Sequence, residues 1–286
     1  MTRSEGGVRR DAGISGLMKN DHGVALLIVL LVTALLTALV VEFAYGTRIS
    51  LRSAVNFRDS QRSYFLARSG VSFAGALLSD NLKKGKLQDN LEQRDWQIVP
   101  IVSTGDTELR IRWEDEGGKI SISTVFKGND AYKRLGKLFE ILAINQDALE
   151  RMVESKKNIY LTTELHQVLS DEEFAKLKDF VTVVPLDKVN VNTAPSEVLQ
   201  SLGLSAGMAG MVVEKRNTEP FKLQNEVNAF LGNENTMVAG RLSVTSDVFK
   251  ANSFATVGGY TKQVEAVITR TTDAYNPFKI SYWRAL

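Results

Sequence analysis

Between Val24 and Val41 the chain reads VALLIVLLVTALLTALVV, an apolar run that carries no charge until Glu42. As a helix, about 18 residues at ~1.5 Å each cover ~27 Å, close to the ~30 Å hydrocarbon core of a bilayer. Thr33 and Thr37 are its only polar residues, and a hydroxyl on a helix can bond back to the preceding turn. A membrane-spanning helix is the reading this predicts. A removable signal would have a shorter apolar region and a small-residue cleavage site after it, whereas VEFAYGTR follows here. Arg3, Arg9, Arg10 and Lys19 on one side nearly balance Arg48, Arg52 and Arg58 on the other, so charge leaves the orientation open.

The helical pattern does not stop at the membrane. No proline occurs between Met1 and Gln97, and Phe57, Tyr64, Ala67, Val71, Ala74 and Leu78 repeat at spacings of three, four and seven. The opposite face carries Arg52, Arg58, Asp59, Arg62 and Arg68, and Lys83-Lys84-Gly85 reads as a helix stop. One helix over 24–84, ~90 Å long, is predicted. Its first part is apolar all round and its second part amphipathic.

After Gly85 the period changes. DWQIVPI, TELRIRWED and KISISTVF alternate apolar with polar residues, and Gly117-Gly118 between the last two predicts a hairpin turn. From Asn129 the pattern turns helical through KRLGKLFEILAI, DALERMVESK, LTTELHQVLS and DEEFAKLKDFV, the last with Ser170 as N-cap. SEVLQSLG, AGMAGMVVEKRN and LQNEVNAFLG continue it. Glu164-Leu165-x-x-Val168-Leu169 is echoed by Glu226-Val227-x-x-Phe230-Leu231, which suggests two similar helical units. Strands return in RLSVTSDVFKANSFATVGG, KQVEAVITRTT and PFKISYWRAL. The order predicts an α+β fold in which 85–124 and 240–286 form one sheet domain and 125–239 is a helical insertion.

Composition narrows the chemistry. The 286 residues hold 44% hydrophobic and 24% charged residues with a net charge of +2, too small a field to hold nucleic acid or steer an acidic substrate. Cysteine is absent, which excludes disulfides, thiolate zinc and a cysteine nucleophile. His22 and His166 are the only histidines; the first adjoins the apolar run, and the second reads as a partly exposed helix residue. Gly-x-Ser-x-Gly, P-loop, His-Glu-x-x-His and dinucleotide fingerprints are all missing, so no enzyme class is indicated. Asp171-Glu172 opens a helix, where carboxylates complement the dipole. Asp115 and Glu116 read as a solvated turn, and Glu114, Asp115 and Glu116, as clustered oxygen ligands, are candidate calcium residues.

Four features in this order resemble the type II secretion minor pseudopilin K family (general secretion pathway protein K). These are Gly23 directly before VALLIVLLVTALL, EDEGGKISIS (114–123), TVVPLDKVNVNTAPSEVLQSL (182–202) and the ending SYWRAL. The resemblance implies a prepilin leader over 1–23, cut after Gly23 by prepilin peptidase, with Val24 as the new N-methylated terminus. It implies a pilin-like fold with a large helical insertion containing helix-hairpin-helix-like units, and calcium in the globular part. As partners it implies I- and J-type minor pseudopilins, the major pseudopilin and the inner-membrane secretion platform. The chain would sit in the inner membrane by a single pass with its C-terminal domain in the periplasm, at the tip of a pseudopilus that supports export through the outer-membrane secretin. His22 stands where a basic residue usually precedes the cleavage glycine. Ile28 stands where most pilins have a glutamate, a departure shared with the K-type subunits. A carboxylate there, without a partner, would cost ~2.5–3.5 kcal/mol in the membrane interior.

VNVNTAPSEVLQSLGLSAGMAGMVVEKRN also resembles helix-hairpin-helix DNA-binding segments, including those of membrane-anchored competence proteins. That motif commonly has Gly-hydrophobic-Gly at its hairpin; here it is Gly203-Leu204-Ser205, whose Cβ hinders approach of a phosphate. Lys188, Lys215, Arg216 and Lys222 are offset by Glu197, Glu214, Glu219 and Glu226, not the basic excess that phosphate contact needs. No nucleic acid is therefore expected as a partner.

Overall fold

The computed structural model describes residues 21–83, 97–98, 105–155, 159, 161–271, 273 and 275–286. Residues 1–20, most of DWQIVPI and the Lys84-Gly85 helix stop lie outside the described residues. The chain divides into two units, the first ending at Arg58 and the second spanning Asp59–Leu286. Helix α1, Asp21–Lys83, is 63 residues long and contributes to both.

In the first unit the side chains of α1 from Val24 to Ala54 are exposed, and its apolar stretch is long enough to cross a membrane. The Thr33 hydroxyl donates to the Leu30 carbonyl (3.0 Å) and that of Thr37 to the Thr33 carbonyl (2.7 Å), so both polar groups are satisfied by their own helix. Phe57, expected on the packed stripe, is 67% exposed in this unit. The packed stripe begins further along, in the second unit.

There, Ala67, Val71, Ala74 and Leu78 of α1 form one core with the inward residues of a five-stranded sheet. The strands are β1 (Gln97–Ile98), β2 (Thr107–Asp115), β7 (Val248–Val257), β8 (Tyr260–Arg270) and β9 (Phe278–Ala285), antiparallel in the order β1-β2-β7-β8-β9. Leu109, Ile111 and Trp113 alternate inward from β2, as a period of two requires. β7 and β8 are joined by Gly258-Gly259, both at positive φ (56° and 83°), which a two-residue hairpin with matching twist demands. Asp59, expected on the solvated face of α1, is buried against that turn, its carboxylate 2.6 Å from where a Cβ on Gly258 would stand.

The predicted hairpin of TELRIRWED with KISISTVF does not form. β2 pairs with β7, from Thr107↔Val257 to Asp115↔Phe249, and the chain between them builds a separate helical layer. KISIST contributes only β3 (Ile120–Ser121), which runs parallel to β4 (Val181–Thr182). The same arrangement recurs with β5 (Val189–Asn190) parallel to β6 (Leu242–Ser243).

Between each pair of short strands lies a similar set of helices. The first set is α2 (Asp130–Ile141), α3 (Gln146–Ser155), a 3₁₀ turn (Thr162–Gln167) and α4 (Asp171–Leu177). The second is α5 (Ser196–Leu202), α6 (Ala206–Thr218), α7 (Gln224–Leu231) and α8 (Thr236–Ala239). The hairpin α2–α3 turns through Ala143, the one non-glycine residue with positive φ among those described (51°), and α5–α6 turns through Gly203 (124°). Two residues on, the Asn145 side-chain oxygen accepts from the Asp147 N–H (3.0 Å), as the Ser205 hydroxyl oxygen accepts from the Met208 N–H (3.2 Å). The echoed glutamates match as well: Glu164 accepts from the Leu161 N–H (3.1 Å) and Glu226 from the Lys222 N–H (2.8 Å). Leu165 and Leu169, like Val227 and Leu231, are buried beneath them. One apolar core, distinct from that of the sheet, runs through both sets.

Candidate functional site

The two motifs that stand apart in the sequence, EDEGGK and NVNTA, meet at the seam between sheet and helical insert. Asp115 is the last residue of β2, and its carboxylate accepts from the Gly117 N–H (2.7 Å), the Asn190 side-chain amide (2.8 Å) and the Thr193 hydroxyl (2.5 Å). The Ser246 hydroxyl also bears on it. Burial pushes the Asp115 carboxyl above its ordinary value, while these four donors pull the other way without cancelling the effect. The backbone adds a bond from the Asn190 N–H to the Gly117 carbonyl (2.8 Å).

NVNTA is held from its other side too. Asn192 donates to the carbonyls of Phe221 (2.9 Å) and Val244 (3.2 Å) and accepts from the Phe221 N–H (2.8 Å). Arg216, buried on α6, donates to the carbonyls of Val191 (2.8 Å) and Ala194 (2.5 Å). A loop rich in buried polar groups is tolerable only when satisfied in this way. Gly118 passes so close that a Cβ would come within 2.9 Å of the Thr193 carbonyl carbon and 3.0 Å of the Ala194 nitrogen.

The acidic run is thereby accounted for without a solvated turn. Glu116 forms a buried ion pair with Lys119 (2.6 Å), and Glu114 lies 4.0 Å from the same ammonium. Burial opposes the charge on Lys119, but Glu116, Glu114 and Asp179 outweigh it and hold the amine above its ordinary value. Glu114, Asp115 and Glu116 do not fit a calcium site: Asp115 is occupied by uncharged donors and the other two face a lysine. Among the described residues no three His, Cys, Asp or Glu side chains gather as metal ligands.

Gly23 and Val24 lie near the start of α1, Gly23 with open space around it and Val24 exposed; Ile28 is also exposed, on the apolar stretch. His166 faces Asp171 (Nδ1 to Oδ1 3.2 Å) and stacks on Phe174, with ring centroids 3.6 Å apart. Ser170 and Glu173 form a capping box at α4, whose first turn holds Asp171 and Glu172 as the dipole favours. Arg216, Lys215 and Lys222 of the hairpin segment have partners within the chain. Arg216 holds NVNTA, and Lys215 and Lys222 both bridge to Glu219 (3.3 and 2.9 Å).

Sequence reasoning missed the joining of Asp115 to Asn190 and Thr193, and the roles of Arg216, Ser246 and Arg270. Arg270 on β8 donates to the Ser246 carbonyl (3.0 Å) and lies over the Phe249 ring. The available signal was the Asn-x-Asn-Thr pattern itself, with polar residues where a strand's inward positions should be apolar.

A long helix laid on an antiparallel sheet, with a helical insert between β2 and β7, is a pilin-like fold of enlarged form. Residues 189–245 match the family model described as Type II secretion system (T2SS), protein K. The chain is 23% identical over 261 residues to the type II secretion system protein K of Pseudomonas aeruginosa, covering 75% of this chain and 78% of that protein. A chain of the crystal structure of the GspK-GspI-GspJ complex from the enterotoxigenic Escherichia coli type 2 secretion system shares the fold. Its TM-score is 0.61 at 17% identity, over 82% of this chain and 99% of that one. The chain is thus similar to type II secretion system proteins K in sequence and in fold.

Proposed function

We propose that this chain caps and nucleates the tip of a periplasmic pseudopilus as a minor pseudopilin, assembled with I- and J-type minor pseudopilins. The observation that carries this reading is the placement of the insert. It enters and leaves at the ends of β2 and β7, so it enlarges a pilin-like domain without breaking the packing of α1 on the sheet. A head of that breadth suits a subunit with none above it. The protein K family match and the solved complex of a K-type relative with I and J support the choice of partners.

In this reading the leader is removed after Gly23 and Val24 becomes the methylated terminus. Residues 24–41 hold the chain in the inner membrane by a single pass, with the globular part in the periplasm. Ile28 supplies no carboxylate to pair with a neighbour's terminal amine, in keeping with a subunit that begins a filament. The major pseudopilin adds from below on the inner-membrane platform, powered by a cytoplasmic ATPase, and thrust carries the head toward the secretin. The chain supplies shape and nucleation, not catalysis.

The processing step is tested by terminal mass analysis of the chain recovered from cells with and without prepilin peptidase. A start at methylated Val24 that depends on the peptidase supports the reading. An intact leader, or another start, counts against it.

A further inference from the structure

The helical insert is joined to the sheet by two covalent crossings, Asp115 to Glu116 and Asp247 to Val248. These lie side by side, since the Glu116 N–H donates to the Val248 carbonyl (3.0 Å). Two adjacent crossings form a hinge, free to bend about the line between them unless other contacts oppose it. Apolar packing does so only locally, since the core of the insert and the core of the sheet are separate clusters and Leu161, Val183 and Val184 of the insert meet Val267 of β8 around one small cavity. What spans the seam beside the two crossings is polar. Asp115 belongs to the sheet, Gly117 to the first crossing, and Asn190 and Thr193 to the middle of the insert, 75 and 78 residues away in sequence.

We propose that the Asp115 carboxylate, gripped by Gly117, Asn190 and Thr193, is a latch that locks this hinge and makes insert and sheet move as one body. A carboxylate suits the task because it accepts from several donors at once, and each charge-assisted bond is stronger than a neutral one. Gly118 supplies the close backbone approach that brings Thr193 within reach, and Arg270 anchors the second crossing by holding the Ser246 carbonyl. The latch gives the head a fixed shape, whatever that head meets, so it does not depend on the pseudopilin reading.

The absence of cysteine allows a direct test on the full chain in detergent. Cysteines placed at exposed Thr261, beside the β7–β8 turn, and at exposed Glu214, on α6, carry spin labels whose separation reports the angle of insert to sheet. The parent should give one narrow distance distribution, and Asp115→Ala a broad one. Thr193→Val, which removes one hydroxyl and keeps the branched shape, should broaden it to a lesser degree and covers the case in which Asp115→Ala does not fold. Hydrogen exchange on the same variants should quicken by roughly tenfold or more at 190–193, the scale of one lost charge-assisted bond. Strands β7 and β8 and helix α6 should keep their protection. A distribution as narrow in the variants as in the parent overturns the proposal. So does a uniform loss of protection in both cores, because the carboxylate would then be a requirement of folding and not a latch.

Discussion

Replacing Gly70 by alanine sets two effects of opposite sign against each other. Gly70 lies on the buried face of α1, where an added Cβ would stand 2.2 Å from the Ser253 Oγ and 3.0 Å from both Ile111 Cγ2 and Leu109 Cδ1. Helix propensity favours alanine by ~0.8–1 kcal/mol. The Ser253 hydroxyl can rotate away, but Ile111 and Leu109 are buried in the core and can yield only by moving helix or strand. Overpacking of that kind costs ~1–3 kcal/mol, so a net loss of about 1 kcal/mol or somewhat more is expected. For a unit of this size that is a fall of roughly 2–4 °C in Tm. Gly210 on α6 gives the control, because nothing lies within 4 Å of its would-be Cβ. There the same change should stabilise by up to ~1 kcal/mol. Thermal unfolding of the full chain in detergent, followed by circular dichroism, measures both. A Gly70→Ala variant as stable as Gly210→Ala would refute the close approach of α1 to the sheet.

Other expectations follow from the insert. Ala143→Gly should stabilise by up to about 1 kcal/mol in denaturant unfolding, since it relieves a left-handed alanine at the place where the second hairpin has Gly203. Gly118→Ala should lower the stability read from urea unfolding by an amount near the upper end of overpacking costs, ~3 kcal/mol, because beyond the Thr193 hydroxyl it meets the backbone of Thr193 and Ala194, which no rotamer change relieves. Glu173 accepts from the Ser170 N–H and pairs with Arg151, and both hold its carboxyl below the ordinary value. Its folded value lies under its unfolded one, so its stabilisation is present above about pH 4.5 and fades as pH falls through the lower, folded value. Glu173→Gln should therefore lower Tm at pH 7, with the difference from the parent shrinking as the melts are repeated toward pH 3.

Long local patterns were the legible part of this fold. The proline-free stretch and its stripe located α1, and from Tyr64 onward the spacing identified the residues that meet the sheet; Phe57 continued the pattern without continuing the packing. The strands near the C-terminus form a hairpin through a Gly-Gly turn, a local signal. KISIST misled because alternation over a few residues fits a hairpin strand and a two-residue parallel bridge equally well. Its true neighbour Val181 and the partner of β2, β7, are set by long-range pairing that no local rule encodes. The duplication was visible in the Glu-Leu echo. It was hidden in Lys119–Thr124 against Lys188–Thr193, where serines stand opposite asparagines and isoleucines opposite valines. Asp115 looked like a turn residue because its partners lie far along the chain and become its neighbours only once both helical sets have folded.

The central claim is assembly with pilin-like subunits, and its most direct measurement is affinity purification of the full, tagged chain after mild cross-linking in cells of its own source. The expected result is a stoichiometric complex with one I-type and one J-type minor pseudopilin, identified by mass spectrometry. Recovery of the membrane-extracted chain alone, with both of those subunits present in the same cells, would contradict it.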